Sequence, residues 1–342
     1  MAVDLEAGGA VNAEQVAEAV AQTDALLKAV QPGDPATGGR DVDDLEREAR
    51  LAQVHGGYVR RDLQQQMQTM FRVYAATRKY ANARLREVDL DEAREIRDEL
   101  KQIREDTERG LKAAIRQAYY RQFESGKRAG WNWRAIDPAE AKFLERLRRE
   151  EYVFAKRFLH DIELGRCKMP IDQRATLYGN ASDEAFWWGF LYGDQSSDRY
   201  VRWVMTPELE SCPDCLYLSG DIDAETLERH DNPNALPVGG RWGNGVYTAQ
   251  ELTMLGVVPQ SGKLRCTTNC KCHLERAERP AGDPQSKLQR KPYQSLAPKP
   301  VQERYERKRR RYETKRVKRD TSLVKGILGR VLEDVRKAVM GE

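Results

Sequence analysis

The sequence predicts a mainly α protein in which long helices form a hairpin or bundle and are followed by a small α+β loop module. Three observations support this fold class. No proline occurs between Pro35 and Pro138, where apolar residues recur at helical spacing. An aromatic-rich segment follows, and five of the six cysteines then fall in two tight groups. The two ends of the chain, an acidic arm and a basic helix, are expected outside this body.

Composition limits the class of protein. The 342 residues suffice for two or three compact domains, 33% of them are charged, and only 40% are hydrophobic. No run approaches the roughly 20 apolar residues of a membrane-spanning helix, and the chain starts with no basic and apolar leader, so we expect a cytoplasmic protein without membrane contact. A mean hydropathy of -0.77 indicates extended helices and solvated tails rather than a compact metabolic enzyme.

Charge is distributed unevenly along the chain. Residues 1–45 carry a net charge of -7 and residues 280–342 a net charge of +10. Tails of opposite charge usually meet different partners. The predicted parts are a flexible acidic arm with one short helix (1–45), a long-helix domain (46–180), an aromatic core with a cysteine module (181–279), a proline-rich linker (280–300), and a basic segment with an amphipathic helix (301–342).

The long-helix domain is predicted to begin with an antiparallel helix pair, because apolar residues recur every three or four positions. They are Leu63, Met67, Phe71 and Tyr74 in the first helix and Ile96, Leu100, Ile103, Leu111, Ile115 and Tyr119 in the second. The turn is expected at residues 88–91, with Asp91 capping the second helix. A third helix is expected to open at Asp137 and Pro138 and to end before Gly165. Its predicted buried face is Phe143, Leu147, Phe154, Phe158 and Ile162.

Residues 181–205 are unusually aromatic. The segment contains Phe186, Trp187, Trp188, Phe190, Tyr192, Tyr200 and Trp203. Large rings bury much apolar area, so packing of helix and strand residues into a core is the main prediction. A platform that stacks a ligand is the alternative.

The C-terminal region combines a spacer, a basic segment and an apolar stripe. The last helix carries Val324, Leu328, Val331 and Val335 on one face. The cations before it surround the helix axis, which fits nonspecific contact with nucleic-acid phosphates; a solvated helix or an acidic protein surface are the alternatives. The candidate polyanion-binding residues are Arg307, Lys308, Arg309, Arg310, Arg311, Lys315, Arg316, Lys318 and Arg319.

The cysteines give the strongest chemical signal. Cys212 and Cys215 are separated by two residues, and Cys266, Cys270 and Cys272 form a second group after fifty intervening residues. A pair at this spacing can turn both thiolates toward one tetrahedral ion, and the second group must supply the other ligands. We therefore predict a structural zinc ion, Zn2+, that cross-links and stabilises a loop module too small to fold by itself. Disulfide or redox chemistry and unligated cysteines are the alternatives.

Which four cysteines bind the metal is open at the level of sequence. Ranked as metal ligands, the first three are Cys212, Cys215 and Cys266, and the fourth is Cys272 or Cys270. His273 is a weaker candidate for the fourth position. Four protein ligands leave no coordination position for water, which argues against metal catalysis.

No other motif reaches comparable strength. The sequence has neither a phosphate-binding glycine loop nor a nucleophile elbow. Asp221, Asp223 and His230 lack the clustering of acid-base groups, so we do not expect an enzyme. His55 is expected at the surface of its charged helix, and Cys167 is expected to be a partly buried thiol.

The module residues resemble those of a known family. The motifs, in chain order, are Arg202-Trp203, Glu210-Ser-Cys212-Pro-Asp-Cys215-Leu-Tyr-Leu-Ser-Gly220, Thr248 to Leu255, Pro259-x-Ser-Gly262, and Cys266-x-x-Asn269-Cys270-Lys-Cys272-x-Leu274. They are similar to the C-terminal module of minor head, or head-morphogenesis, proteins of tailed phages, the Mu-F-like group. The similarity covers roughly residues 50–276 and is specific in the cysteine loop. Where many relatives have a histidine shortly before the Asn-Cys pair, this chain has Cys266.

The resemblance implies a structural role in a virion. We expect a minor head protein that is present in several copies, joins the head in the host cytoplasm, and associates with the portal or the major capsid protein. Contact with packaged DNA through the basic segment is a further expectation. The alternatives are a zinc-stapled, nonspecific DNA-binding protein and, less favoured, a zinc hydrolase.

Overall fold

The computed structural model describes the helical part of the chain and the cysteine module. The described residues are 42–132, 134–192, 199–206, 212–221, 238–264, 266, 270–285, 287–288 and 290–293. Most of the predicted acidic arm lies outside them. The whole basic segment with its terminal helix, and with every candidate polyanion-binding residue, also lies outside.

Within the described residues, four long helices precede the module. They are α1 (Val42–Arg84), α2 (Leu90–Ala129), α3 (Pro138–Glu163) and α4 (Ile171–Tyr192). The module contains β1 (Tyr200–Val204), α5 (Pro213–Ser219), a 3-10 turn (Gly240–Trp242), β2 (Val246–Thr248), α6 (Ala249–Leu255) and β3 (His273–Ala277). The predicted mainly α fold with a small α+β module is therefore confirmed. No helix among the described residues is long and apolar enough to span a membrane.

The first two helices form the predicted antiparallel pair. Gln122 of α2 donates a hydrogen bond to the carbonyl oxygen of Gly56 in α1, whereas Arg84 near the turn pairs with Glu92. The predicted apolar faces are buried, apart from the half-buried Ile103. The predicted cap was wrong by two residues: Asp89, not Asp91, accepts hydrogen bonds from the first turn of α2, because the helix already begins at Leu90.

The third helix begins as predicted, and its predicted face packs against the core except at Phe154: Phe158 is buried, and Phe143, Leu147 and Ile162 are partly buried. Asp137 and Glu140 form a capping box around Pro138, and Gly165 after the helix has a φ of 61°. Phe154, expected in the core, is 41% exposed. Its neighbour Ala155 is buried instead, because one residue of offset turns a helical side chain by about 100°.

The fourth helix lies so close to α2 that glycines are required at the contact. A Cβ atom on Gly126 would lie 1.8 Å from the carbonyl oxygen of Phe186, and one on Gly189 would lie 2.1 Å from that of Phe123. Beside this crossing, the ammonium of Lys127 pairs with Glu140 at 2.7 Å, and both side chains are buried. The aromatic segment packs as predicted: Trp188 and other rings of α4 belong to the main core.

A buried polar seam joins α1, α2 and α4. His55, predicted at the surface, is only 2% exposed, and its Nδ1 lies 2.6 Å from the Ser125 hydroxyl oxygen. Asp183 of α4 receives hydrogen bonds from Arg60 at 2.8 Å and from Gln122 at 2.9 Å. The expectation for His55 was wrong because the polar partners that allow its burial lie on another helix.

One hydrophobic core extends from the helices into the module. It includes Phe123 of α2, Phe190 of α4, Trp203 of β1 and Leu252 of α6. The helix α4 also runs through the boundary predicted between residues 180 and 181. The module therefore packs against the helical body.

Candidate metal centre

The three-stranded sheet brings the two cysteine groups together. The strand order is β2-β1-β3, and β1 pairs with both neighbours in antiparallel orientation. Val204 at the end of β1 is opposite His273 at the start of β3. The chain leaving β1 leads to Cys212, whereas Cys272 directly precedes β3. Antiparallel pairing therefore places the two cysteine segments at one end of the sheet.

The short helix α5 orients the first pair of cysteines. Cys212 is its N-cap, Pro213 occupies the first turn, and the Cys215 backbone N–H donates to the Cys212 carbonyl oxygen at 2.9 Å. The helix ends at Gly220, whose φ of 87° is in the left-handed region. This single turn places both thiols on the side that faces the second group.

The sulfur atoms have the spacing of a thiolate metal site. The Sγ atom of Cys215 lies 3.4 Å from that of Cys212, 3.7 Å from that of Cys266 and 3.6 Å from that of Cys270. Four sulfurs placed tetrahedrally at about 2.3 Å from one ion would be roughly 3.8 Å apart. A disulfide bond requires about 2.05 Å, so these distances fit an ion and are too long for a sulfur–sulfur bond.

Cys215 is the centre of the cluster. It belongs to two groups of three, one with Cys212 and Cys266 and one with Cys270 and Cys272, and within each group all sulfurs lie within 4.8 Å of one another. Cys215, Cys270 and Cys272 are buried, whereas Cys212 and Cys266 are partly exposed. All five predicted cysteines thus meet in one cluster that could hold a metal ion.

Hydrogen bonds between the cysteine thiols shift their pKa values in opposite directions. Hydrogen bonding with Cys215 and Cys266 lowers the pKa of Cys212 to about 3, and hydrogen bonding with Cys215 lowers the pKa of Cys270. Hydrogen bonding with Cys212 raises the pKa of Cys215. Crowded thiolates need compensating positive charge, which protons or a metal cation can supply.

A second layer of residues supports the cysteine helix. Asp214 lies between the first two cysteines and is fully buried, and its Oδ1 accepts a hydrogen bond from the Tyr293 hydroxyl at 3.1 Å. The Tyr293 backbone N–H donates to the Leu255 carbonyl oxygen at 2.8 Å. This part of the predicted linker 280–300 is therefore attached to the module. Neither Asp214 nor Tyr293 was predicted from the sequence, although the position of Asp214 between the two cysteines could have indicated a supporting role.

Among the described residues, the other candidates do not join the cluster. His273 lies on β3 with its Nε2 2.9 Å from Glu275 Oε1. Asp221 is exposed, and Asp223 and His230 lie outside the described residues. Cys167 is exposed, which corrects its predicted partial burial, because the loop between α3 and α4 lies at the surface.

No family model, curated protein or solved structure matches this chain. The resemblance to phage minor head proteins therefore stays a prediction based on the cysteine motif. The clustering of the sulfur atoms supports a metal site independently of that resemblance.

Proposed function

We propose that the protein is a structural minor head protein of a tailed phage, assembling near the portal or the inner capsid surface, with one structural zinc ion in its cysteine module. Its partners would be the portal or the major capsid protein, and its basic tail would meet packaged DNA. Several copies would enter each virion.

One observation carries the proposal. Two cysteine groups separated by fifty residues, in the order that resembles the phage family, converge on Cys215. The described residues between them form short elements around this cluster, as expected of a module that depends on a metal for its shape.

The donor set favours zinc in a structural role. Thiolates are soft ligands that suit zinc, and four of them complete its tetrahedral shell and leave no place for a reactive water. Cys212, Cys215 and Cys266 would each supply one sulfur, and Cys270 or Cys272 the fourth. This closed donor set is the reason for preferring a structural role over the alternative of a zinc hydrolase.

Elemental analysis tests the metal. Full-length protein purified without chelator should contain about one zinc per chain. Cys212→Ser, Cys215→Ser and Cys266→Ser should each lose it, whereas one of Cys270→Ser and Cys272→Ser should retain it. The matched control is Cys167→Ser, because this exposed cysteine lies outside the cluster. Metal-free wild-type protein, or iron in place of zinc, would contradict the proposed site.

Head assembly tests the role. The chain, co-expressed with the portal and major capsid proteins of the same phage, should sediment with the assembled heads in several copies. The Cys215→Ser chain should be depleted from heads that still form. Sedimentation only with nuclease-sensitive DNA would instead favour the alternative of a zinc-stapled, nonspecific DNA-binding protein.

A further inference from the structure

A basic groove lies near the distal end of the α1–α2 hairpin, where α3 ends. It consists of two adjoining cavities of about 350 and 840 Å³, which share Arg78, Asn82 and Glu163. Its walls are the last turns of α1, the first half of α2 and the loop between α3 and α4. Leu85 and Leu100 contribute apolar surface to the smaller cavity. We call this feature the distal groove.

Cationic side chains from three segments line the distal groove. They are Arg78, Lys79 and Arg86 from α1 and the turn after it, Arg97, Lys101 and Arg104 from α2, and Lys168 from the loop. Residues three or four positions apart share one helix face, so Arg97, Lys101 and Arg104 form a row of cations on α2, whereas Arg78 and Lys79 are neighbours on α1. Apolar walls beside the cations strengthen their field, because they exclude water.

Most of this positive charge is not neutralised. Among the described residues that line the groove, the only carboxylate is Glu163. It already accepts hydrogen bonds from the Tyr74 hydroxyl at 2.6 Å and from Arg104 at 3.0 Å. Within the described part of the chain, the six other groove cations form no ion pair with a carboxylate.

We propose that the distal groove binds the phosphodiester backbone of duplex DNA. Arg97 and Lys101 are four residues apart on α2 and therefore about 6 Å apart along its axis, so they can contact successive phosphates of one strand. Arginine forks pair with phosphate oxygens in bidentate geometry. The groove offers a row of charges, which suits a repeating polyanion and gives sequence-independent binding.

The chain's own acidic arm is a less suitable occupant. The arm joins α1 at Val42, and Arg78 lies 36 residues further along the same helix. At 1.5 Å per residue this separation is about 54 Å, whereas 41 residues, the number that precede Val42, would have a root-mean-square span of roughly 35 Å as a random coil. An extended anion from solution can bind without this stretching cost.

Salt-dependent binding tests the site in the full-length protein. Fluorescence anisotropy with a 20-base-pair duplex gives the slope of log K against log salt concentration, and each lost phosphate contact lowers this slope by about 0.9. The groove variant Lys79→Gln/Arg97→Gln/Lys101→Gln should lower the slope by about 2.7 and weaken binding of unrelated duplexes equally. The control Arg61→Gln/Arg134→Gln/Lys142→Gln removes three exposed charges outside the distal groove. It should lower the slope by less than about 0.9, the value of one phosphate contact. Equal slopes for the two variants would overturn the proposal.

Lysine acetylation locates the contact. Lys79, Lys101 and Lys168 are exposed, and bound duplex should slow their acetylation at least fivefold, while Lys112 and Lys142 react at unchanged rates. Protection by tripolyphosphate alone would identify a small-phosphate site, and protection only by phosphatidylserine vesicles would identify a membrane surface; either result overturns DNA binding here.

The test separates this site from the proposed head role and from the basic tail. The inference does not rest on the head assignment, because it concerns only the distal groove. Neutralising Arg307 to Arg311 should lower the salt slope further but leave the protection of Lys101 unchanged. A chain that fails to join heads yet shows groove protection would contradict only the head role.

Discussion

The helical body and the cysteine module bury their residues by different means. The body contains helices of 22 to 43 residues, whose repeating apolar faces pack over many turns. The module's regular elements are three to seven residues long, too short to be stable alone, and they surround the cluster centred on Cys215. Each turn of a long helix therefore adds packing that stabilises the body, whereas the module depends on contacts between residues that are far apart in the chain.

Metal removal should separate the two regions most strongly. Cys215→Ser, or a strong chelator, should make residues 212–275 sensitive to protease while most helical circular dichroism remains, because α1, α2 and α4 pack mainly against one another even though their core continues into the module. Binding of a structural zinc contributes about 10 kcal/mol or more to folding in small zinc modules. The measurement is limited proteolysis with mass spectrometry, with Cys167→Ser as the control. Complete loss of helical signal would show that the module stabilises the body.

The buried ion pair of the body should give the next largest effect. Lys127→Met leaves the Glu140 carboxylate buried without its cation and should lower the free energy of unfolding by about 3–5 kcal/mol in urea titrations. Lys127→Met/Glu140→Gln should recover much of that loss, since the remaining side chain is neutral. A double variant as unstable as the single one would mean that packing, not charge, dominates.

A buried carboxyl group of the module provides a pH-dependent contrast. Glu251 is fully buried, and burial raises its pKa to about 7 despite the opposing charge of Arg241. A raised pKa means that the folded state retains the proton longer, so this group lowers stability as pH rises from about 4.5 to about 7, by about 3 kcal/mol in total. Glu251→Gln should therefore gain stability relative to wild type between pH 5 and pH 8 in urea titrations of zinc-loaded protein.

Comparison at each pH cancels the acid-driven loss of metal that both chains share. Glu278→Gln, at an exposed position of the same module, is the matched control and should show no such pH trend. If the two variants gained the same stability as pH rises, burial of the Glu251 carboxyl group would not be the cause of the pH dependence.

The smallest expected effect concerns helix contact in the body. Gly189→Ala should lower the free energy of unfolding by about 1–3 kcal/mol, because its new methyl group meets the backbone of Phe123. Gly57→Ala in α1 meets no atom within 4 Å and should instead gain about 0.4–1 kcal/mol by restricting the unfolded chain. Urea midpoints of the two variants measure both signs. Similar shifts would show that the α2–α4 contact can relax.

The sequence by itself determined three of the four long helices and the cysteine cluster. Helical periodicity predicted α1 and α2, Asp137 and Pro138 predicted the start of α3, and the cysteine spacing predicted one cluster, because these signals are local. Only the tertiary structure decided that Cys215 is the centre of the cluster and that Tyr293 returns to Asp214. It also decided that His55 is buried and that cations from three segments line the distal groove. These features depend on contacts between residues far apart in the chain, which local propensity and spacing cannot specify.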